Sequence, residues 1–188
     1  ALTRMRAAAP DASIEFMLLD LADLDSVHRF AEEFTARFGR LDLLVNNAAI
    51  AATEEHGEYG FPEWKRMFEI NVDGPFLTTW AVKDEMIGRK FGRIVNISSL
   101  AALVLKGNMI HYATTKAAVI AFTRHCAEAF AAHNIRVNCL APGLTDTDLA
   151  RSANPDLIDG LIAQTPMGRM GTEQEVADGI CYLLDPEK

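Results

Sequence analysis

Cysteine is scarce in this sequence, and long apolar runs are missing from it. Three cysteines occur among 188 residues, at positions 126, 139 and 181, and none belongs to a C-x-x-C pair. An odd, widely spaced set argues against a disulfide framework and favours reduced thiols. No apolar stretch has the length of a membrane span, and residues 1–20 lack the layout of a signal peptide. We therefore predict a cytoplasmic location and no membrane contact.

Positive charge is also in short supply. The sequence holds 18 Lys and Arg against 26 Asp and Glu, for a formal net charge of -8. Nucleic-acid grooves and polybasic membrane patches both require clustered Lys and Arg. This charge balance predicts no nucleic-acid partner and favours a small-molecule partner.

Several functional motifs are missing. There is no P-loop, no G-x-S-x-G elbow and no G-x-G-x-x-G turn. Residues 53–60, TEEHGEYG, gather three Glu and His56, but they lack the H-E-x-x-H spacing of a zinc-binding helix. We interpret this stretch as a solvated loop and expect no metal site.

The sequence does contain a regular alternation of short apolar runs and longer helical patterns. The predicted strands are SIEFMLLD, LDLLVNNA, GRIVNISS and IRVNCLAP. The predicted helices are SVHRFAEEFTARFG, a stretch over residues 62–87, a helix over about 110–133, and EQEVADGICYLL. Strands that are apolar throughout belong to parallel sheets covered on both faces. The pattern predicts an α/β fold with a doubly wound parallel sheet, in a single domain over residues 1–188.

Two features of this pattern point to a site. Ligands of doubly wound sheets bind beyond the carboxyl ends of the strands. Those ends carry small, polar or turn-forming residues, including Asp20, Asn47, Ser99 and Gly143. In the helix that follows GRIVNISS, Tyr112 and Lys116 are four positions apart, so their side chains share one face.

Six segments in a fixed order resemble the classical short-chain dehydrogenase/reductase family. They are NNAA, INVDGPF, IVNISS, YATTK, RVNCLAPGLTDTDL and PMGRMGTEQEVA, and they extend over essentially the whole chain. The resemblance implies a Rossmann-like three-layer sandwich that binds NAD or NADP. It also implies an oxidoreductase that interconverts a secondary alcohol and a ketone by hydride transfer, with a small-molecule alcohol or carbonyl substrate.

The same resemblance implies four catalytic residues, Asn71, Ser99, Tyr112 and Lys116. Ser99 is preferred to Ser98 because it precedes Tyr112 by the thirteen residues usual in the family. An adjacent ammonium should lower the pKa of the Tyr112 phenol and make it a usable acid or base. The Ser99 hydroxyl could stabilise charge on the substrate oxygen.

Cofactor contacts are implied for a larger set of residues along the strand ends. They are Asp20, Leu21, Asn47, Ala48, Tyr112, Lys116, Pro142, Gly143, Thr145 and Thr147. Structural explanations also exist: Tyr112 could be a core residue, Lys116 a surface lysine, and Ser99 a helix cap. Asn71 could serve only to satisfy backbone groups, and Asp20 could simply end a strand or cap the next helix.

The sequence departs from the family at its front, where a glycine-rich turn normally receives the pyrophosphate. The first predicted strand, SIEFMLLD, corresponds to the family's third, and the two strands that would lie between it and the next predicted strand are not in the sequence. We therefore expect an incomplete domain in which this strand has no neighbour. The alternative function is a non-catalytic binding or regulatory module that has lost cofactor binding.

The helix over about 110–133 is apolar on nearly all sides, so it should be covered on both faces. In the family, this helix and the preceding one, here about 63–89, pair with their copies in a second subunit. A homodimer or homotetramer is the expectation. Residues 103–110 and 150–166, which should line the pocket, combine apolar side chains with Lys106, which favours a neutral, partly apolar substrate.

Overall fold

The structure is a computed structural model that describes residues 5–7, 9–51, 60–104, 109–151 and 155–187. Its strands are β1 (Leu43–Asn46), β2 (Gly92–Ile97) and β3 (Ile135–Leu140). Its helices are α1 (Leu24–Phe38), α2 (Phe61–Phe68), α3 (Gly74–Arg89), α4 (Ile110–Phe130), α5 (Asp148–Arg151), α6 (Pro155–Gln164) and α7 (Glu173–Leu184). Shorter helical turns occupy Glu69–Asp73, Leu100–Ala102 and Ala131–His133.

The three strands form one parallel sheet in the order β1-β2-β3. Asn46 of β1 lies opposite Asn96 of β2, and Asn96 lies opposite Cys139 of β3. Every residue of the central strand β2 is buried. A strand covered on both faces has no solvated side, which explains why its sequence is apolar without alternation.

Helices cover both faces of the sheet. On one face, Met86 of α3 and Cys126 and Phe130 of α4 pack with Ile94 and Val137 in the main hydrophobic core. On the other face, α7 packs against β2 and β3, where Gly179 lies close to the side chain of Leu140. This arrangement confirms the predicted α/β architecture of a parallel sheet between two helical layers.

The predicted helix over residues 62–87 is interrupted by the π-helical turn Glu69–Asp73, between α2 and α3. Pro75 has no N–H and cannot donate to the carbonyl of Asn71, so the regular bonding pattern fails here. The N–H of Gly74 instead donates to the carbonyl of Glu69, five residues back. The extra residue of such a turn changes the direction of the side chains around Asn71, and turns of this kind often occur at functional sites.

The strand predicted from SIEFMLLD is wrong. Residues 13–20 have no assigned secondary structure, and Phe16 and Leu18 are 68% and 82% exposed. A strand needs a hydrogen-bonded neighbour, and no strand among the described residues pairs with this segment, as the expected absence of its neighbours implied. A cavity of about 500 Å³ separates it from β1, lined by α1, α3 and residues such as Leu19, Leu44 and Val82.

No helix among the described residues is both long enough and apolar enough to cross a lipid bilayer.

Candidate active site

The carboxyl ends of β2 and β3 meet the first turns of α4. The N–H of Ser98 donates to the Leu140 carbonyl at 2.8 Å, and the N–H of Leu100 donates to the Pro142 carbonyl at 2.8 Å. The Ser98 hydroxyl donates to the main-chain carbonyl of Lys116 at 2.7 Å. These bonds hold the two strand ends and the helix at one edge of the sheet, where ligands of such folds bind.

The two neighbouring serines have different surroundings. Ser98 is buried, and its hydroxyl is occupied by the helix carbonyl. Ser99 is half-buried, and its side chain is hydrogen-bonded to the phenol of Tyr112. Its Oγ also accepts from the N–H of Ala101 at 3.2 Å, which begins the turn Leu100–Ala102. Ser99 is therefore the serine whose hydroxyl reaches Tyr112.

The Tyr112 phenol behaves differently from the expectation based on an adjacent ammonium. Burial raises its pKa above the ordinary value, and the hydrogen bond from Ser99 opposes that rise. The Lys116 Nζ lies 5.7 Å from the centre of the Tyr112 ring and donates to the Ile97 carbonyl at 2.8 Å. The ammonium is therefore directed at the ring face and a strand carbonyl, so burial dominates the pKa of the phenol.

Lys116 is 3% exposed, which makes it a buried amine. Burial lowers its pKa from 10.5 to about 8, although nearby Cys139 acts in the opposite direction. An ammonium has three N–H groups, and the Ile97 carbonyl uses one of them. The amine thus keeps donors for a ligand beside Tyr112.

Asn71 lies in the π-helical turn and is buried. Its amide forms a two-way pair with Ile50: Oδ1 accepts from the Ile50 N–H at 2.9 Å, and Nδ2 donates to the Ile50 carbonyl at 2.9 Å. The same Nδ2 donates to the hydroxyl of Thr115 at 3.1 Å. Asn71 therefore satisfies backbone groups, and it also connects the loop after β1 to the first turns of α4.

The residues predicted to hold the adenosine end lie on the other side of β1. Leu21, Asn47 and Ala48 line the cavity between α1, α3 and β1. Asp20 is not among its lining residues. Its Oδ1 accepts from the N–H of Ala22 at 2.9 Å, which is a local turn, and α1 is capped by Asp23 instead.

The threonine hydroxyls of residues 142–147 form local hydrogen bonds with the backbone. The Thr145 hydroxyl donates to the Gly143 carbonyl at 3.1 Å, and the Thr147 Oγ1 accepts from the N–H of Ala150 at 3.2 Å. The Pro142 carbonyl accepts a hydrogen bond from the N–H of Leu100, the residue after Ser99. Of the four predicted cofactor residues in this segment, Pro142 and Gly143 lie next to Leu100.

A row of buried and half-buried polar side chains was not predicted from the sequence. The Asn46 Nδ2 donates to the Asn96 Oδ1 at 2.8 Å, and the Asn96 Nδ2 donates to the Thr123 hydroxyl at 2.9 Å. The Thr78 hydroxyl donates to the Asn46 Oδ1 at 2.7 Å. The available signal was an asparagine at the same register in two apolar strands. This row connects β1 and β2 to α3 and α4.

No group of three His, Cys, Asp or Glu residues that could hold a metal ion occurs within the described ranges. Of the predicted loop at 53–60, only Gly60 lies within the described residues.

Comparison with protein families gives a match over residues 1–158 to a model described as short chain dehydrogenase. Among curated proteins, the 3-oxoacyl-[acyl-carrier-protein] reductase FabG of Escherichia coli (strain K12) is 34% identical over 171 residues, which are 91% of this chain and 70% of that protein. The acetoacetyl-CoA reductase of Acinetobacter sp. (strain RA3849) is 34% identical over 174 residues, which are 93% of this chain and 70% of that protein.

Solved structures give the same result. A gluconate 5-dehydrogenase from Burkholderia cenocepacia J2315, in complex with NADP and tartrate, superposes with a TM-score of 0.90 at 31% identity, over 100% of this chain and 74% of that one. Levodione reductase superposes with a TM-score of 0.91 at 28% identity, over 99% and 76%. These likenesses confirm the Rossmann-like fold.

Proposed function

Because the chain belongs to the short-chain dehydrogenase family, we propose that it interconverts a secondary alcohol and a ketone with Tyr112 as the proton donor and acceptor. Members of this family are NAD(P)-dependent oxidoreductases that act on CH–OH and C=O groups. NADP is bound in the structures of ElxO and of the gluconate 5-dehydrogenase, and NAD+ in that of a xylitol dehydrogenase. NAD or NADP is the proposed cofactor of this chain.

The observation that carries the proposal is the grouping of Ser99, Tyr112 and Lys116 at one edge of the sheet. In carbonyl reduction, the Tyr112 phenol gives its proton to the substrate oxygen, and in alcohol oxidation the phenolate takes it back. The Ser99 hydroxyl, already bonded to that phenol, donates to the same oxygen as negative charge develops on it. A bound nicotinamide would supply or accept the hydride.

The residues around Tyr112 fit a dinucleotide. The Lys116 ammonium is buried next to the phenol and has N–H groups beyond the one used by Ile97, which suit a ribose hydroxyl. Asn47 and Ala48 are exposed at the end of β1 and could contact the adenosine half. Thr145 and Thr147 are the residues whose hydroxyls we propose for the nicotinamide end.

The surroundings of the site favour a neutral, partly apolar substrate. Four exposed apolar residues are near Ser99 and Tyr112 in the sequence. They are Leu100, Leu103 and Val104, within five positions after Ser99, and Ile110, two positions before Tyr112. The two described arginines in the segments beyond β3 are already paired, Arg151 with Asp146 at 2.8 Å and Arg169 with Glu175 at 2.6 Å. Neither is left available to bind a substrate carboxylate.

Cofactor binding and turnover test the proposal together. Titration of the full-length protein with NADPH and NADH should show binding of one or both, followed by oxidation of the reduced cofactor with apolar ketones. Ketones of equal size that carry a carboxylate should react more slowly. Tight cofactor binding without oxidation by any ketone or aldehyde would instead favour a non-catalytic binding module.

We also propose that the working protein is a homo-oligomer built on α3 and α4. Phe76 and Trp80 of α3 stack at 4.4 Å between ring centres, and both remain exposed in the single chain. Phe122 of α4 lies 6.3 Å from Trp80, and Ala121 beside it is exposed. A surface of this kind, with aromatic anchors and small residues, is typical of subunit interfaces.

Light scattering of the full-length protein tests the interface. Wild type should be a dimer or tetramer at micromolar concentration, and Ala121→Glu should dissociate it because a buried, unpaired charge is costly. Ala132→Glu places the same charge on an exposed alanine beyond α4 and should leave the assembly intact. A monomeric wild type would refute the proposal.

A further inference from the structure

Thr115 lies between the two predicted catalytic residues of α4 and is fully buried. Its hydroxyl donates to the main-chain carbonyl of Tyr112 at 2.8 Å. The same oxygen accepts from Nδ2 of Asn71 at 3.1 Å. One side chain therefore uses its hydroxyl as donor and acceptor at once, toward the backbone of Tyr112 and toward the π-helical turn.

The other contacts of Asn71 make this hydroxyl difficult to replace. One of its two amide hydrogens is directed at the Ile50 carbonyl, and the other is directed at Thr115. Without the hydroxyl, the second hydrogen would be a buried donor with no acceptor, which proteins strongly avoid. Asn71 would then have to move, and Ile50 is bonded to it in both directions.

We propose that Thr115 is a positioning residue, which transmits the placement of Asn71 and the loop after β1 to the helical turn that carries Tyr112 and Lys116. The proposal rests on the proposed function, because it assigns Thr115 a role in orienting the acid/base group. Reacting groups tolerate little misplacement, since displacements of about 1 Å can cost about 10²-fold in rate.

Helix α4 supplies matched controls for this role. Thr123 is also buried; its hydroxyl donates to the Val119 carbonyl at 2.7 Å and accepts from an asparagine amide, Nδ2 of Asn96, at 2.9 Å. It thus repeats the chemistry of Thr115 two turns farther along, away from Tyr112. Thr114 is exposed, and its hydroxyl donates to the Ile110 carbonyl at 2.7 Å.

The experiment compares Thr115→Val, Thr115→Ser, Thr123→Val and Thr114→Val in the full-length protein. Measurements are melting temperature, kcat and KM with a ketone, the pH–rate profile, and titration of the Tyr112 phenol by NMR of ¹³Cζ-labelled tyrosine. The sequence has three tyrosines, so Tyr112→Phe assigns the signal.

For Thr115→Val we expect kcat to fall about tenfold with a smaller change in KM, since alignment is lost and substrate contacts remain. The apparent pKa of Tyr112 should rise as its bond to Ser99 loosens, and Thr115→Ser should restore both quantities. Thr115→Val and Thr123→Val should lower the melting temperature by similar amounts, but Thr123→Val should not change kcat or the phenol titration. Thr114→Val should change neither the melting temperature nor kcat.

Equal behaviour of Thr115→Val and Thr123→Val in rate and in phenol titration would overturn the positioning role. If Thr115→Val does not fold, Thr115→Ala removes the same hydroxyl without adding a methyl group, and the same comparison applies. A wild type that reduces no carbonyl would refute the proposed function alone, because the phenol titration still decides whether Thr115 positions Tyr112.

Discussion

The two sides of the sheet differ in how completely they are packed. On the β3 side, β2 is buried along its whole length, and α4 is bonded to the strand ends through Ser98 and Lys116. On the β1 side, Leu43 and Val45 are 44% and 36% exposed, and a cavity separates β1 from residues 13–20. Strand sequences of similar apolar character thus reach different burial, because burial depends on the neighbours that each strand has.

This difference divides the candidate site into two parts. Ser99, Tyr112 and Lys116 belong to the packed side, where hydrogen bonds to buried groups determine their positions. Leu21, Asn47 and Ala48 line the open side, where no described strand supports them from beyond β1. The geometry of proton transfer is therefore defined more fully by the described residues than the geometry of adenosine binding.

The largest effect should come from the packed side, with Tyr112→Phe. This change keeps the ring and its packing and removes the proton that the proposed mechanism transfers. We expect kcat to fall by roughly 10²-fold or more, the usual size of a general acid/base contribution, with little change in melting temperature. Steady-state kinetics with a ketone and a reduced cofactor measure it.

Tyr182→Phe is the matched control, since Tyr182 lies on α7 and is 60% exposed. It should retain wild-type turnover. Near-normal turnover of Tyr112→Phe would contradict the proposed role of Tyr112 as the acid and base of the reaction.

The sequence predicted the packed side well, because its signals are local. Apolar runs indicated β2 and β3, and the helical pattern of EQEVADGICYLL indicated α7, whose bounds agree with the prediction. Residues 13–20 have a similar apolar composition but do not pair with a described strand. The family resemblance predicts that this segment lacks a neighbour, although its apolar composition alone indicates a strand. The π-helical turn and the bonds of Asn71 to Ile50 and Thr115 depend on contacts distant in sequence, so the pattern around Asn71 did not reveal them.

Lys116→Met should change stability in a way that depends on pH. Burial lowers the pKa of Lys116 to about 8, below its ordinary value of 10.5. Between these values the folded protein has released the proton while the unfolded chain still holds it, so the stability of wild type rises with pH across this window. The Met variant lacks this dependence. At pH 7 we expect it to be more stable by about 1–3 kcal/mol, and cofactor affinity should fall about tenfold.

Chemical denaturation at pH 7 and pH 10 measures the difference. Lys83→Met serves as the control, because Lys83 is less buried, its Nζ bonds Asp84 at 2.6 Å, and it lies away from Tyr112. As the pH rises, the stability of Lys116→Met should approach that of wild type. The stability of Lys83→Met relative to wild type should not change in this way. A constant difference between wild type and Lys116→Met would mean that the amine is not buried as described.

The smallest effect should come from the open side, and it tests the comparison directly. Val45 of β1 and Val95 of β2 lie opposite each other in the sheet, but Val45 is 36% exposed and Val95 is 0% exposed. Val95→Ala should lower the free energy of unfolding by about 2 kcal/mol, from the lost burial and the cavity left behind. Val45→Ala should cost less than about 1 kcal/mol, because solvent already reaches that side chain. Urea denaturation of the full-length protein measures both values under one condition. Equal costs would show that β1 is covered in solution, and the cavity beside it would then be filled in the working protein.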